Sequence, residues 1–318
     1  MSRADADTVT AATAETVAVA AGATAAGAGP AGSAAAPAGP RSATLPGFLS
    51  LFRSELTLTF RRARTMALLG VLAAVPILIG VVVRIETGHL HDGPNGPAFL
   101  AQVTQNGVFL TFTALATSLP IFLPMTVGVV AGDSVAGEAA TGTLRYLLVA
   151  PAGRTRLLAA KFSAAMAFCV AATLAVALSG LIAGSILFPV GNVTLLSGDT
   201  IGLGAALLRV VLICAVVALS LAGLVAIGLF ISTLTGSGIA AMASTVGLVI
   251  IVQVLDGFPQ LAAIQPWLFT HDWLSFGDLL RQPMYWSGVW RDLGLQALYV
   301  AVFGSAAWAR FTSRDITA

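Results

Sequence analysis

Residues 210–255 read VVLICAVVALSLAGLVAIGLFISTLTGSGIAAMASTVGLVIIVQVL, 46 residues without a charge between Arg209 and Asp256. A bilayer core about 30 Å thick takes about 20 apolar residues in a helix. The run is too long for one crossing and sufficient for two. Turn-forming residues at 232–238, Ser-Thr-Leu-Thr-Gly-Ser-Gly, divide it. Two spans are expected, 205–231 and 239–255. The whole chain agrees with this reading. Of its 318 residues 57% are hydrophobic and 9% charged, and mean hydropathy is +0.92. Soluble domains carry about 25% charged residues, so this chain lacks the charge to wet the surface of a soluble fold. Neither a Gly-X-Y period nor a charged heptad appears. A net charge of +2 makes no case for nucleic acid.

Further uncharged runs mark further spans at about 66–83, 99–131, 162–188 and 293–309, for a total of six. Pro76 is expected to kink the first. With the amino-terminal tail on the cytoplasmic side, the inner face receives 12 of the 16 basic residues and the outer face four: Arg84, Arg209, Arg281 and Arg291. That bias places both termini inside. The expected fold is an all-α polytopic membrane protein, with six transmembrane helices preceded by an interfacial amphipathic helix.

That first helix covers residues 45–64. Phe48, Phe52, Leu56 and Phe60 recur every fourth position, with Leu45 and Leu49 beside them, while Arg53, Ser54, Thr57 and Arg61 fall elsewhere on the wheel. Arg61, Arg62 and Arg64 close it, within reach of anionic headgroups. A helix lying in the membrane surface fits this pattern. Residues 1–44 differ in kind. Eighteen are alanine, and no large apolar anchor for a core occurs. They read as a low-complexity cytoplasmic tail. Residues 65–312 then form the six-span domain and 313–318 a cytoplasmic end.

Chemistry has few places to sit. There is no phosphate-binding Gly-x-x-x-x-Gly-Lys-Ser/Thr loop, and the single lysine, Lys161, follows Arg-Leu-Leu-Ala-Ala. His89, His91 and His271 all fall in outer loops, out of reach of any serine inside the bilayer. His89 and His91 with Glu86 and Asp92 read as a solvated loop rather than a metal site. Cys169 and Cys214 read as small buried hydrophobes. No span carries a carboxylate at mid-depth, which counts against a proton-driven transporter. Asp256, Arg209 and Arg291 stand near span ends and are expected to snorkel to water. Gly128 with Gly132, and Gly180 with Gly184, form Gly-x-x-x-Gly pairs that let helices approach closely. Four of the five tryptophans, Trp267, Trp273, Trp286 and Trp290, crowd an outer segment at 256–292, where short interfacial helices are expected.

Two features point to function. The second span carries Gln102, Asn106, Thr113 and Thr117 on one helical face, with Phe109 between. Buried amides need partners or water, so the stripe either lines a substrate path or bonds a neighbouring helix. Gln253 in the fifth span is a similar case. The second feature is the cytoplasmic stretch from Gly132 to Lys161, with Asp133 near its start. A Gly-Thr pair opens an apolar helix at 144–149, Pro151 stops it, and a basic run leads into the third span. Such a helix suits docking onto another protein.

This stretch resembles the inner loop of type-2 ATP-binding-cassette (ABC) transporter permeases. The shared order is an acidic residue, Gly-Thr-Leu, a Leu-Leu pair, Pro, Arg, Leu and Lys, present as Glu138, Gly142, Thr143, Leu144, Leu147, Leu148, Pro151, Arg154, Leu157 and Lys161. Arg145 lies within it. The likeness extends over residues 45–312. It implies the permease subunit of a bacterial plasma-membrane exporter, coupled through this loop to two separate ATPase subunits and paired with a second permease chain. ATP and Mg would sit on the ATPase partners, and this chain would bind no cofactor, hold no metal and catalyse no bond-making step. The apolar spans favour a hydrophobic or amphipathic cargo such as a drug, antibiotic or lipid. The alternatives are a permease for ions or other solutes, and a membrane scaffold that moves nothing.

A chain starting at Leu45 should reach the membrane fraction at the level of the full chain. Loss of insertion on deleting residues 1–44 would show that the tail holds a contact its composition does not reveal.

Overall fold

In lipid no water is available to backbone N–H and C=O groups, so an apolar segment satisfies them within a helix. The computed structural model describes residues 45–89, 103–142 and 153–313, and they are mostly helical. The tail at 1–44, Gln102, the loop residues Thr143, Leu144, Arg145, Leu147, Leu148 and Pro151, His91, Asp92 and residues 314–318 lie outside the described residues.

Helix α1 spans Leu45–Arg61 and α2 Ala63–His89, with Pro76 inside it. Then follow α3, Gly107–Ser118, α4, Phe122–Ala140, and α5, Arg154–Leu187. A small antiparallel hairpin pairs β1, Val193–Thr194, with β2, Thr200–Ile201. Gly198 in its turn has φ +88°, a conformation that favours glycine. Helices α6, Leu203–Ser220, α7, Ala222–Leu234, and α8, Gly238–Asp256, precede three 3-10 turns at Pro259–Leu261, Gln265–Trp267 and Trp273–Leu280. Helix α9, Ser287–Ser313, ends the fold.

Among the described residues four helices are long and apolar enough to cross a membrane: Ala63–Glu86, Arg154–Leu187, Leu203–Leu234 (α6 with α7) and Gly238–Asp256. The pair α3 and α4, bent by 56°, makes a fifth if it counts as one span. Helix α9, which carries Arg291, Asp292 and Arg310, is not among them. Large apolar side chains such as Ile186, Leu208 and Ile239 face outward and are more than 70% exposed. An apolar exterior over an apolar core suits a membrane protein.

Two expected spans are not single helices. Residues 99–131 break at Leu119, Pro120 and Ile121. Pro120 brings no N–H to the ladder, and Pro124 then falls in the first turn of α4, where proline is tolerated. Residues 205–231 break at Leu221. There Trp273 Nε1 donates to Ser220 O at 2.9 Å. The expected cut at 232–238 does separate α7 from α8. Helix α5 begins eight residues before the expected span, at Arg154. At 34 residues it is about 51 Å long, well beyond a bilayer core. The first helix stops at Arg61, so Arg64 belongs to α2.

Close packing fixes the bundle. Helices α3 and α5 cross at Gly107 and Gly184, where a Cβ on either would overlap the other's carbonyl oxygen. One turn along, a Cβ on Gly180 would stand 3.0 Å from Thr111 Cα. Gly128 and Gly132 give the same closeness to α4 and α8. Phe112, Leu115 and Phe168 are buried in the same core.

Gly184→Val should force α3 and α5 apart. Overpacking of this kind costs about 1–3 kcal/mol, so the variant should melt at lower temperature in detergent. An unchanged melting midpoint would contradict the crossing.

Candidate functional site

Charged residues gather where α1, α2, α4 and α5 meet. Lys161 on α5 is 2% exposed, and Glu55 on α1 and Glu138 on α4 are equally hidden. Lys161 Nζ lies 3.1 Å from Glu55 Oε2 and 2.6 Å from Glu138 Oε1. Beside this triad Asp133 Oδ2 accepts from Arg62 Nη1 at 2.6 Å and from Arg64 Nη2 at 2.5 Å. Three acids therefore face three bases, and the cluster is neutral. The cavity between them, lined by Glu55, Arg62, Arg64, Glu138 and Lys161, is about 30 Å³. That volume suits one water and no larger guest, so the cluster is a brace. Burying ions carries a desolvation cost that only close pairing offsets.

The brace brings together residues far apart in sequence. Glu138 and Lys161 are 23 residues apart and in direct contact, which holds α4 and α5 together at this point. Arg154, at the start of α5, donates from Nη1 to Thr312 O at 2.8 Å and ties the loop's end to α9. Gly142, with φ +71°, follows α4. Arg62 and Arg64, expected at lipid headgroups, turn to Asp133 instead. Glu55 escaped the sequence reading. The signal was there: an acid on a helix whose other charges are all arginines.

The polar stripe on α3 separates into two parts. Asn106 caps the helix, with Oδ1 accepting from Val108 N at 2.9 Å. Its Nδ2 donates to Gly191 O at 3.1 Å and Asn192 O at 2.9 Å. Its amide is thus committed to holding α3 against the α5–β1 connection. Gln253 likewise donates to the Pro120 carbonyl left free by the α3–α4 break. Phe109, Thr113 and Thr117 instead line a cavity of about 390 Å³ with Leu274, Phe276 and Leu280. That size falls in the range of small-molecule sites. Thr113 and Thr117 donate their hydroxyl protons to Phe109 O and Thr113 O. Only lone pairs are left to face the cavity, whose other lining is apolar and uncharged.

The far wall of this cavity belongs to the tryptophan-rich segment, which is bolted down from several sides. Arg209 does not snorkel. It is buried, donating from Nη1 to Leu279 O at 2.9 Å and Arg281 O at 3.1 Å, and from Nη2 to Gln282 Oε1 at 2.5 Å. Leu196 N donates to Leu280 O at 3.1 Å, and Gln296 Nε2 to Phe269 O at 2.8 Å. Asp292, wholly buried, accepts from Ser220 Oγ and from Gln296 Nε2. Arg291 pairs with Asp272 at 2.5 Å, and His271 with Asp256 at 2.6 Å. Trp273 is buried while Trp267 and Trp290 are exposed. The segment forms 3-10 turns rather than interfacial α-helices. Among the described residues no group of three or more His, Cys, Asp or Glu side chains could hold a metal.

Replacing Lys161 by Met leaves Glu55 and Glu138 buried face to face. Removing one partner of a buried pair costs about 3–5 kcal/mol, so the variant should melt well below the natural chain. Adding Glu55→Gln and Glu138→Gln should recover part of the loss. Equal midpoints for Lys161→Met and the natural chain would contradict the brace.

Among curated proteins none matches this chain. A family model described as "Protein of unknown function (DUF2705)" matches residues 74–317, which takes in α3 to α9, both walls of the cavity, and all of the brace except Glu55, Arg62 and Arg64. The chain belongs to the DUF2705 family.

Proposed function

We propose that this chain is the permease subunit of an ATP-driven ABC exporter in a bacterial plasma membrane. The observation that supports the reading best is the contact of Glu138 with Lys161. These are the first and last residues of the pattern that resembles the type-2 permease loop. Their pairing closes the base of the loop, so a push on it would reach α4 and α5 together and, through Glu55, α1. Two ATPase subunits, holding ATP and Mg, would supply the push, and a second permease chain would complete the path. Helix α9 is then the sixth span, with both termini and the charged brace on the cytoplasmic side, α1 lying in the inner interface and the tryptophan-rich segment outside.

The cargo this reading favours is a neutral, apolar or amphipathic molecule. The cavity beside Phe109, Thr113 and Thr117 carries no charge and presents hydroxyl lone pairs alone. A charged solute would lose its hydration there without gaining a partner.

The test uses the chain co-expressed with an ATPase encoded beside it. Leu147→Asp in the loop should leave the permease in the membrane and abolish substrate-stimulated ATP hydrolysis. Ala116→Phe, which fills the cavity, should leave basal hydrolysis intact and remove its stimulation by substrate. Hydrolysis and stimulation unchanged in Leu147→Asp would overturn the reading.

A further inference from the structure

Helix α1 carries charge that the fold leaves unanswered. Its one acid, Glu55, faces inward and pairs with Lys161. On the opposite face Ser50, Arg53, Ser54, Thr57 and Arg61 line an open groove. Arg62 and Arg64, next along the chain, belong to Asp133. Among the described residues neither Arg53 nor Arg61 has an ion-pair partner, and both are exposed. At 100° per residue, Leu49 and Leu58 fall on either edge of this polar face. They are 59% and 47% exposed. The face is therefore cationic at its centre and apolar at both edges.

We propose that this groove binds the phosphate headgroup of an anionic phospholipid. The inference rests on the membrane reading and not on transport. Arg53 and Arg61 stand about two turns apart and both line the groove, where guanidinium groups are donors for phosphate oxygens. Ser50 and Thr57 donate to Gly47 O and Arg53 O, so their oxygens remain acceptors. Ser54, with no such bond, adds a third donor toward the phosphate. Leu49 and Leu58 sit where acyl chains pass below a headgroup, the arrangement of helices that lie in a membrane surface. A soluble anion would have no use for these apolar edges, and an acidic protein surface would leave them wet.

The experiment is native mass spectrometry of the full chain, counting phosphatidylglycerol and phosphatidylcholine retained as detergent is raised. The natural chain should hold phosphatidylglycerol preferentially. Each arginine near a charged membrane surface is worth about a fivefold change in affinity. Arg53→Ala with Arg61→Ala should therefore weaken phosphatidylglycerol retention about 25-fold and leave phosphatidylcholine unchanged. Added salt should erode the preference. Arg281→Ala, at the opposite end of the bundle, should change nothing. If the double variant fails to fold, Ser54→Asp, which puts an acid in the middle of the groove, carries the same expectation. Equal retention of the two lipids by the natural chain would overturn the proposal, as would unaltered retention by folded variants. Variants that keep the lipid and lose a co-purifying ATPase would assign the face to a protein partner instead.

Discussion

Lys161 is the point on which the charged end of the molecule depends. It is the chain's single lysine, and it sits where four helices converge, with no access to water. An ammonium buried alone there would carry a large desolvation cost. Two carboxylates from two other helices pair with it, at 3.1 and 2.6 Å. In doing so they fix α1 against α5 and set the exit of α4 beside the entry of α5. Asp133 with Arg62 and Arg64 repeats the device one turn away. The spacing of the helices at this end follows from charges that must pair once they are buried.

The opposite end solves a different problem, with side chains that serve backbone carbonyls. Breaks in apolar helices strand carbonyls, and at the breaks beside Pro120 and Leu221 a side chain reaches one of them. Gln253 serves Pro120, and Trp273 serves Ser220. Arg209 spreads its guanidinium over the carbonyls at the end of a 3-10 turn. The bonds from Arg209 and to Ser220 hold the tryptophan-rich segment against α6, where Leu274, Phe276 and Leu280 form a wall of the cavity. The cavity and the breaks are linked, since a straight α6–α7 helix would leave Trp273 without its acceptor.

These two ends place the proposed function in physical terms. On that reading, a push between Glu138 and Lys161 would reach α4 and α5 together, and an uncharged cavity would disfavour ions. The groove on α1 adds a contact with the bilayer itself, made possible because Glu55 is drawn to the other side of its helix.

Membrane character, the helical segments and the division of residues 210–255 at the 232–238 turn were legible in the amino-acid order, because apolar run length and turn residues act locally. So were the glycines at helix crossings, since close approach needs a missing side chain wherever the partner lies. The breaks at Pro120 and Leu221 were harder. The first has a local cause in proline, but the second depends on a tryptophan 52 residues away. The polar stripe on α3 looked uniform by spacing. Only the tertiary structure separated Asn106, used up as a helix cap, from Thr113 and Thr117, which face a cavity. Which charges are exposed could not be read from the chain at all. Arg53 and Arg62 look alike in sequence, and Glu55 looks like a surface acid. Pairing across helices decided that Glu55 is taken up inside the bundle and that Arg62 turns to Asp133 while Arg53 does not, because ion pairs form between neighbours in space and periodicity describes one helix at a time.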